Sequence, residues 1–207
     1  MVKVSFAITV CNEVNELKRL LPFLIDNVRH SDEIVILFDE KNGDVEVWNY
    51  LVEYDKLSNV KVIKSLDFNN NFADWKNKLN EYCTGNFIFQ LDADEMVNPD
   101  FIEMLPILFE LNPEVELYYL PRINTVDGIT DEHIKMWGWK VDEKNRINYP
   151  DYQGRLHKKG LKWSGKVHEK IVGAKYYSIL PDLDVYSLIH HKTIERQEKQ
   201  NNFYKNL

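Results

Sequence analysis

Residues 87–95 read FIFQLDADE, an apolar run that ends in two aspartates, Asp92 and Asp94. A run of this length with two aromatic residues is typical of a buried strand in a parallel sheet. Ligands of open α/β sheets bind beyond the carboxyl ends of the strands, where both aspartates would lie. Because Mg²⁺ and Mn²⁺ bind one or two protein carboxylates together with substrate phosphates, the run predicts a site for a metal-chelated diphosphate.

The sequence around this Asp-x-Asp pair strengthens an otherwise weak signal. A second pair, Asp182 and Asp184, follows Pro181 in a predicted loop, so the pattern alone decides little. After the first pair, Asn98-Pro99-Asp100 supplies a helix N-cap, a first-turn proline and a first-turn acid. The order of strand, aspartates and helix favours a ligand site over a capped loop.

Composition restricts the classes of protein to consider. The chain has 207 residues, of which 44% are hydrophobic, and this predicts one domain with a substantial core. A formal net charge of −7 argues against a nucleic-acid-binding surface, which needs a basic patch. Lysines cluster between residues 158 and 166, but acidic residues surround them, so we interpret them as a solvated face.

The two cysteines, Cys11 and Cys83, lie in apolar contexts and form no disulfide framework, which favours free thiols in a reducing compartment. The apolar run at residues 4–11 is too short for a secretory signal, and no run approaches transmembrane length. We therefore expect a cytoplasmic protein without a transmembrane segment. Peripheral attachment to a membrane, through a partner or a further segment, is an open alternative.

The hydrophobic pattern of residues 1–121 alternates between strand and helix. Pro22 either kinks the first helix or marks its start, and Gly85 is placed to end the third. This alternation predicts an α/β fold, a mostly parallel central sheet with helices on both faces. The predicted strands are residues 2–10, 33–38, 60–63, 87–91 and 116–120, and the predicted helices are residues 12–27, 45–54, 72–82 and 101–111.

Regular periodicity fades after Pro121. For residues 122–190 we expect hairpins and long loops packed over the carboxyl edge of the sheet. Residues 193–207 are polar with a few spaced apolar positions, and a C-terminal surface helix is predicted there. No linker or repeat interrupts the chain, so we predict one compact domain.

Polar residues follow three predicted strands: residues 9–13 after the first, Asp39 after the second and residues 92–95 after the fourth. Taken singly, Asp39 is as consistent with loop capping as with ligand binding. Together the three strand ends predict a crevice for a nucleotide-type ligand. No Gly-x-Gly-x-x-Gly or Walker loop is present, which excludes a Rossmann dehydrogenase and a P-loop enzyme.

Five sequence blocks, taken in order, resemble those of family 2 glycosyltransferases. The resemblance covers about residues 2–192 and includes a subgroup block, Trp-x-Gly-x-Val-His-Glu. It implies a GT-A fold, a nucleotide-diphosphate sugar donor, a divalent metal and inversion at the anomeric carbon. The blocks are VSFAITVCNE at 4–13, NFADWKN at 71–77, GNFIFQLDADE at 85–95, YPDYQGRL at 149–156 and WSGKVHE at 163–169.

The resemblance also implies a division of the single domain. Residues 1–121 would bind the nucleotide sugar, residues 122–192 would bind the acceptor and supply catalysis, and residues 193–207 would add the helix. Thr9 and Asp39 would contact the base, and Glu13 would lie near the nucleotide. The full set of implied donor-binding residues is Thr9, Asn12, Glu13, Asp39, Lys76, Asp92, Ala93 and Arg155.

Two positions depart from the family pattern. Lys76-Asn77 stands where the family usually has Arg-Asn, so a point charge replaces a forked donor. The second strand ends in Phe38-Asp39-Glu40-Lys41 rather than the usual Asp-Asp-Gly-Ser. We favour a UDP-sugar, while GDP- and dTDP-sugars stay open.

The metal, Mn²⁺ or Mg²⁺, would be bound by Asp94, with Asp92 reaching the ribose or the metal. Some GT-A enzymes take a further ligand from a late histidine, and His190 fits that place, with His191 as a close competitor. Arg155 and Lys166 would clamp the diphosphate, although both are equally consistent with a solvated position.

The candidate catalytic residues are Glu169 and His168. An acceptor hydroxyl needs a base to remove its proton, and Glu169 matches the His-Glu end of the subgroup block. His168 would orient the base or a phosphate. The alternative interpretation of Glu169 is a surface glutamate in a lysine-rich loop. One of Trp137, Trp139 and Trp163 is expected to line the acceptor site, although core packing is the commoner role of tryptophan.

Two other functions compete with a hexosyl-type transferase. A sugar-phosphate nucleotidyltransferase shares the α/β core and the metal carboxylates, but it usually has a glycine-rich basic loop that residues 10–15 lack. A nucleotide-sugar-binding module without catalysis is the second. The acceptor, whether glycan, lipid-linked sugar or protein, is not readable from the sequence.

Overall fold

A computed structural model describes residues 2–205 of the chain. Its centre is a seven-stranded sheet in the order β11-β6-β8-β4-β1-β2-β3, beside a two-stranded β10-β9 hairpin and a three-stranded β5-β12-β7 sheet. The strands are β1 Val4–Val10, β2 Glu33–Asp39, β3 Val60–Ser65, β4 Phe87–Asp92, β5 Glu95–Met96, β6 Leu117–Leu120, β7 Arg122–Asp127, β8 Gln153–Lys158, β9 Lys162–Ser164, β10 Lys170–Val172, β11 Tyr177–Ile179 and β12 Leu188–Thr193. The helices are α1 Val14–Asn27, α2 Val45–Val52, α3 Phe72–Tyr82, α4 Pro99–Leu111, α5 Asp131–Trp137 and α6 Ile194–Lys205.

The predicted α/β fold with a mostly parallel sheet is confirmed. Strand β1 pairs in parallel with both β2 and β4, and β2 pairs in parallel with β3. The register places Thr9 opposite Asp92 on one side, while Val10 pairs with Phe38 on the other. The carboxyl ends of β1, β2 and β4 therefore meet at one edge, as the sequence predicted.

Helices cover both faces of the sheet, because alternate residues of β1 belong to different cores. Phe6 and Ile8 pack with residues of α1, α2 and α4. Ala7 packs instead with Trp75 and Leu79 of α3. Since successive side chains of a strand point to opposite faces, the sheet is buried on both sides, which explains its continuous apolar strands.

Two local expectations need correction. Helix α1 runs from Val14 through Pro22, so the proline does not mark its start, and the buried Leu17, Leu21 and their neighbours stabilise the helix around it. Gly85 does not end α3, which stops at Tyr82. The glycine is needed because a Cβ there would lie 2.6 Å from the backbone nitrogen of Ser5.

Residues 122–192 contain more regular structure than expected. Strands β8 and β11 from this part join the main sheet, with β8 antiparallel between β4 and β6. Strands β9 and β10 pair antiparallel as a hairpin, which is the kind of structure expected for this part of the chain. Strand β8 escaped prediction because Arg155 and His157, both buried, interrupt its apolar pattern.

The C-terminal helix is present as α6, Ile194–Lys205, while residues 206 and 207 of its predicted range lie outside the described part. Of the helices within residues 2–205, none is long and apolar enough to cross a membrane. Both cysteines are free thiols, and burial raises the pKa of each to about 12.

Candidate functional site

A cavity of about 1090 Å³ opens at the carboxyl edge of the main sheet. The ends of β1, β2 and β4 form one wall, and β8, β12 and α6 contribute to the others. The cavity is lined by most of the residues that the sequence proposed for donor binding, metal binding or catalysis, but not by Lys166 or His191. The lining members are Thr9, Asn12, Glu13, Asp39, Lys76, Asp92, Ala93, Asp94, Arg155, His168, Glu169 and His190.

Glu13 holds the turn that follows β1. Its Oε2 accepts hydrogen bonds from the backbone nitrogens of Cys11 at 2.6 Å and Asn12 at 2.9 Å. Its Oε1 lies 3.3 Å from Nη2 of Arg196 on α6. Burial raises the pKa of Glu13 despite these hydrogen bonds and the nearby guanidinium. The glutamate therefore joins the end of β1 to the C-terminal helix at the cavity wall.

Asp39 caps the loop after β2. Its Oδ1 accepts from the backbone nitrogens of Lys41 at 3.0 Å and Asn42 at 3.2 Å, and its Oδ2 accepts from the Asn42 side chain at 2.8 Å. Capping, the simpler of the two interpretations, is thus what the contacts show. The base contact implied for Asp39 and for the half-buried Thr9 stays a prediction.

Asp92 lies between two cations. Nη2 of Arg155 contacts its Oδ2, and Nζ of Lys76 lies 3.2 Å from its Oδ1. Burial alone would raise the pKa of Asp92, but the charges of Arg155 and Lys76 outweigh it and hold that pKa well below its usual range. The carboxylate is ionised and already paired.

This pairing bears on the predicted metal-ligand set, Asp92, Asp94 and His190, which stays a prediction. Within residues 2–205, no three His, Cys, Asp or Glu side chains form a group that could hold a metal ion. In this structure both oxygens of Asp92 contact cations, Lys76 and Arg155.

Asp94 and His190 lie next to each other on the cavity wall. Oδ1 of Asp94 lies 3.5 Å from Nε2 of His190, while its Oδ2 lies 3.5 Å from Nζ of Lys192 and 3.7 Å from Nε of Arg196. Burial would raise the pKa of Asp94, but His190 and Lys192 lower it below its ordinary value. His191 instead contacts Asp127, and of the two candidate histidines only His190 lines the cavity.

Glu169 forms a close ion pair with a buried lysine. Its Oε1 lies 2.6 Å from Nζ of Lys76, which also packs over the ring of Trp163 at 4.7 Å from the centroid. The glutamate side chain is 14% exposed, which does not fit a free surface residue. His168 is exposed, and its ring packs edge-on against Tyr204 of α6 at 5.7 Å between centroids.

A chain of alternating charges, which we call the charge chain, runs along the cavity wall. Arg122 contacts Asp151 at 2.7 Å and Glu95 at 2.9 Å, and Arg155 contacts the same Glu95 oxygen at 2.6 Å. Burial would lower the pKa of Arg155, but Asp92 and Glu95 raise it overall. In order, the members are Asp151, Arg122, Glu95, Arg155, Asp92, Lys76 and Glu169.

The charge chain includes Arg155 and adds residues that the sequence did not indicate. Arg155 is buried and bonded to Asp92 and Glu95, so it is not solvated, and its contact with a diphosphate stays a prediction. Glu95 and Asp151 lie inside the quoted blocks, but nothing in their spacing marks them as ion-pair partners. Lys166 is exposed at the surface.

Of the three tryptophans considered for sugar binding, Trp139 and Trp163 line the cavity, and Trp139 is the more exposed of these two. Trp163 is buried, and its backbone exchanges two hydrogen bonds with the Asn77 side chain. Trp137 packs on Trp139 with 4.6 Å between ring centroids, and of these two Trp139 lines the cavity. The second aspartate pair, Asp182 and Asp184, lies exposed at the surface.

The fold is the GT-A fold, in which a mostly parallel sheet presents carboxylates to a cavity at its edge. The family model described as glycosyl transferase family 2 matches residues 5–170, so the chain belongs to that family.

Among curated proteins, an uncharacterised protein, y4gI, of Sinorhizobium fredii is 25% identical over 166 residues, which are 78% of this chain and 18% of that protein. Among solved structures, TarS 1–349 of S. aureus superimposes with a TM-score of 0.62 at 14% identity, covering 90% of this chain and 60% of that one. Its complex with UDP-GlcNAc gives a TM-score of 0.64 at 13% identity, with 93% and 59% covered. The chain thus spans less than two thirds of these proteins.

Proposed function

We propose that this chain is a metal-dependent, inverting glycosyltransferase that moves a hexosyl-type sugar from a nucleotide-diphosphate sugar to an acceptor hydroxyl. One observation carries the proposal. Asp94 with His190, and Lys76 with Glu169, lie on the same cavity at the end of a family 2 sheet. These neighbouring pairs support a diphosphate site at Asp94 and His190 and a base at Glu169.

The donor end of the cavity is the edge formed by Thr9, Asn12, Asp39 and Ala93. A UDP-sugar is our favoured donor, because the superimposable TarS structure is described in complex with UDP and with UDP-GlcNAc. Glu40 and Lys41 differ from the residues that the family usually has after the second strand. GDP- and dTDP-sugars are therefore the alternative donors for the binding test.

A divalent cation fits Asp94 and His190. Mg²⁺ or Mn²⁺ needs one or two protein ligands when substrate phosphates supply others, and a carboxylate oxygen beside an imidazole nitrogen is such a pair. When bound, the metal would neutralise the charge that develops on the departing diphosphate. Lys192 and Arg196, which already lie near Asp94, add positive charge on the same side.

Glu169 is the proposed base. In an inverting displacement, its carboxylate accepts the proton of the acceptor hydroxyl while that oxygen attacks the anomeric carbon and the diphosphate leaves. Lys76 holds Glu169 in place through the 2.6 Å ion pair. Residues 122–192 thereby supply both the base and, at Trp139, the acceptor end of the cavity.

Two isosteric variants test the proposal. Glu169→Gln should keep the Kd for the donor within about threefold and lower turnover by about 10²-fold or more, because only the proton acceptor is lost. Asp94→Asn should instead weaken metal-dependent binding of UDP, measured by calorimetry with and without Mn²⁺. Donor binding by the parent without any transfer or hydrolysis would indicate a binding module.

The donor is identified by thermal-shift measurements with UDP-, GDP- and dTDP-sugars, each with and without Mn²⁺. Stabilisation by one base only, and only with metal, is the expected result. No stabilisation by any of the nucleotide sugars would overturn the proposal. Release of pyrophosphate from a nucleoside triphosphate and a sugar phosphate would indicate the nucleotidyltransferase instead.

A further inference from the structure

Asn124 on β7 connects Asp151 to His190. Its Nδ2 donates a hydrogen bond to Oδ2 of Asp151 at 2.9 Å. Its Oδ1 lies 2.7 Å from Nδ1 of His190. The pairing of β7 with β12 places Asn124 directly opposite His190, so backbone register fixes this contact.

The direction of these hydrogen bonds follows from Asp151. The same Asp151 oxygen is bonded to Nε and Nη2 of Arg122, at 3.0 and 2.7 Å, which marks it as an ionised carboxylate that only accepts. The amide NH₂ of Asn124 must therefore face Asp151, and its carbonyl oxygen must face His190. Because that oxygen only accepts, Nδ1 of His190 carries the proton.

A neutral imidazole with a proton on Nδ1 has a lone pair on Nε2. In this structure Nε2 of His190 points at Oδ1 of Asp94 from 3.5 Å. With Nδ1 occupied by its hydrogen bond to Asn124, Nε2 is the ring nitrogen that can bind a cation, and Oδ1 of Asp94 is the carboxylate oxygen beside it. Lys192 and Arg196 lie near the other oxygen of Asp94, Oδ2, so neither fills this position.

We propose that Asp151 and Asn124 are positioning residues that hold His190 as the Nδ1–H tautomer and present its Nε2, together with Asp94, to a divalent cation. The inference rests on the proposed function, since the cation would be the one that accompanies the donor diphosphate. Partners of this kind on the second nitrogen of a metal-binding histidine typically change metal affinity about 10- to 100-fold when removed.

The neighbouring histidine offers a matched control. His191 lies on the same strand, and its Nδ1 contacts Oγ1 of Thr125 at 2.9 Å. Its Nε2 lies 3.1 Å from Asp127, outside the cavity. Thr125→Val therefore removes an equivalent hydrogen bond from an adjacent position of β7 without touching His190.

The first test is Mn²⁺ affinity, measured by the electron paramagnetic resonance of free Mn²⁺ in the presence of saturating UDP. We expect Asn124→Leu to weaken Mn²⁺ binding 10- to 100-fold, His190→Gln to weaken it at least as much, and Thr125→Val to leave it unchanged. Wild-type affinity in Asn124→Leu or in His190→Gln would overturn the inference. Absence of Mn²⁺ and UDP binding in the parent would instead overturn the proposed function.

The second test needs no variant, so it does not depend on how Asn124→Leu folds. The imidazole ¹⁵N shifts of His190 in the Mg²⁺–UDP complex should show a protonated Nδ1 and an unprotonated Nε2. An Nε2–H ring, or a doubly protonated ring, would overturn the inference. His191 in the same spectrum serves as the internal reference.

Discussion

Nζ of Lys76 lies 2.6 Å from Oε1 of Glu169 and also 3.2 Å from Oδ1 of Asp92. One buried ammonium group thus joins the proposed base to the aspartate that follows the central strand. The family usually has arginine at this position, and a forked guanidinium would reach two carboxylates with separate donors. Here the single ammonium group of Lys76 contacts both carboxylates, so the positions of Asp92 and Glu169 depend on each other.

Removing this ammonium group should impair turnover. We predict that Lys76→Met lowers kcat by about 10²-fold, because Glu169 and Asp92 lose their shared partner, and that Lys76→Arg recovers most of the loss. The measurement is steady-state transfer under conditions where circular dichroism shows both variants folded. An unchanged kcat in Lys76→Met would remove Lys76 from the mechanism.

The middle of the charge chain should govern stability. Glu95 is fully buried and accepts from Arg122 and Arg155. Because Glu95→Gln leaves two buried guanidinium groups short of a counter-charge, we predict a loss of about 3–5 kcal/mol in the free energy of unfolding. Urea denaturation gives the value. Glu46→Gln, which breaks an exposed pair with Lys18, is the control and should cost about 0–1 kcal/mol.

His157 should make stability depend on pH. Burial lowers its pKa to about 4, whereas an unfolded histidine titrates near 6.5. Below the unfolded pKa the unfolded chain binds a proton that the folded chain does not, so stability falls as the pH drops from about 6.5 toward 4.

This contribution has a measurable size. Between pH 7.5 and pH 5 it amounts to about 2 kcal/mol, and it should be missing from a His157→Gln variant. Urea denaturation of both proteins at the two pH values gives the difference. Equal pH dependence in the variant and the parent would show that His157 is charged in the folded protein.

The acceptor end of the cavity can be probed at Trp139, which lines it and packs on Trp137. If a sugar ring stacks there, Trp139→Ala should raise the KM for the acceptor by about tenfold, the equivalent of 1.4 kcal/mol. The rate at which water hydrolyses the donor should stay unchanged, because that reaction uses no acceptor. A parallel loss of donor hydrolysis would show that Trp139 supports the donor site instead.

The sequence predicts the fold of residues 1–121 well because apolar strands alternate with amphipathic helices there. Residues 87–95 led directly to Asp92 and Asp94 at the cavity. The same reasoning failed for β8, since it assumes that buried positions are apolar. Arg155 and His157 are buried in that strand, and ion pairing or loss of charge makes this tolerable.

Strand register distinguishes two histidines between which the sequence could not choose. His190 and His191 are adjacent in sequence, so period and composition treat them alike. Because β12 pairs with β5 and β7 in a fixed register, His190 contacts Asp94, whereas His191 contacts Asp127. Such a choice depends on partners distant in the chain, as do the contacts of Asp151 with Arg122 and Asn124.

The charge chain constrains how this sequence can change over time. Each inner member has neighbours of opposite sign on both sides, so replacing one leaves its neighbours without a counter-charge. Substitutions that are harmful singly become acceptable when a partner changes with them. In a saturation library, Arg122, Glu95, Arg155 and Asp92 would tolerate few single changes, and surviving variants would carry compensated pairs. Functional divergence at this cavity therefore proceeds in coupled steps.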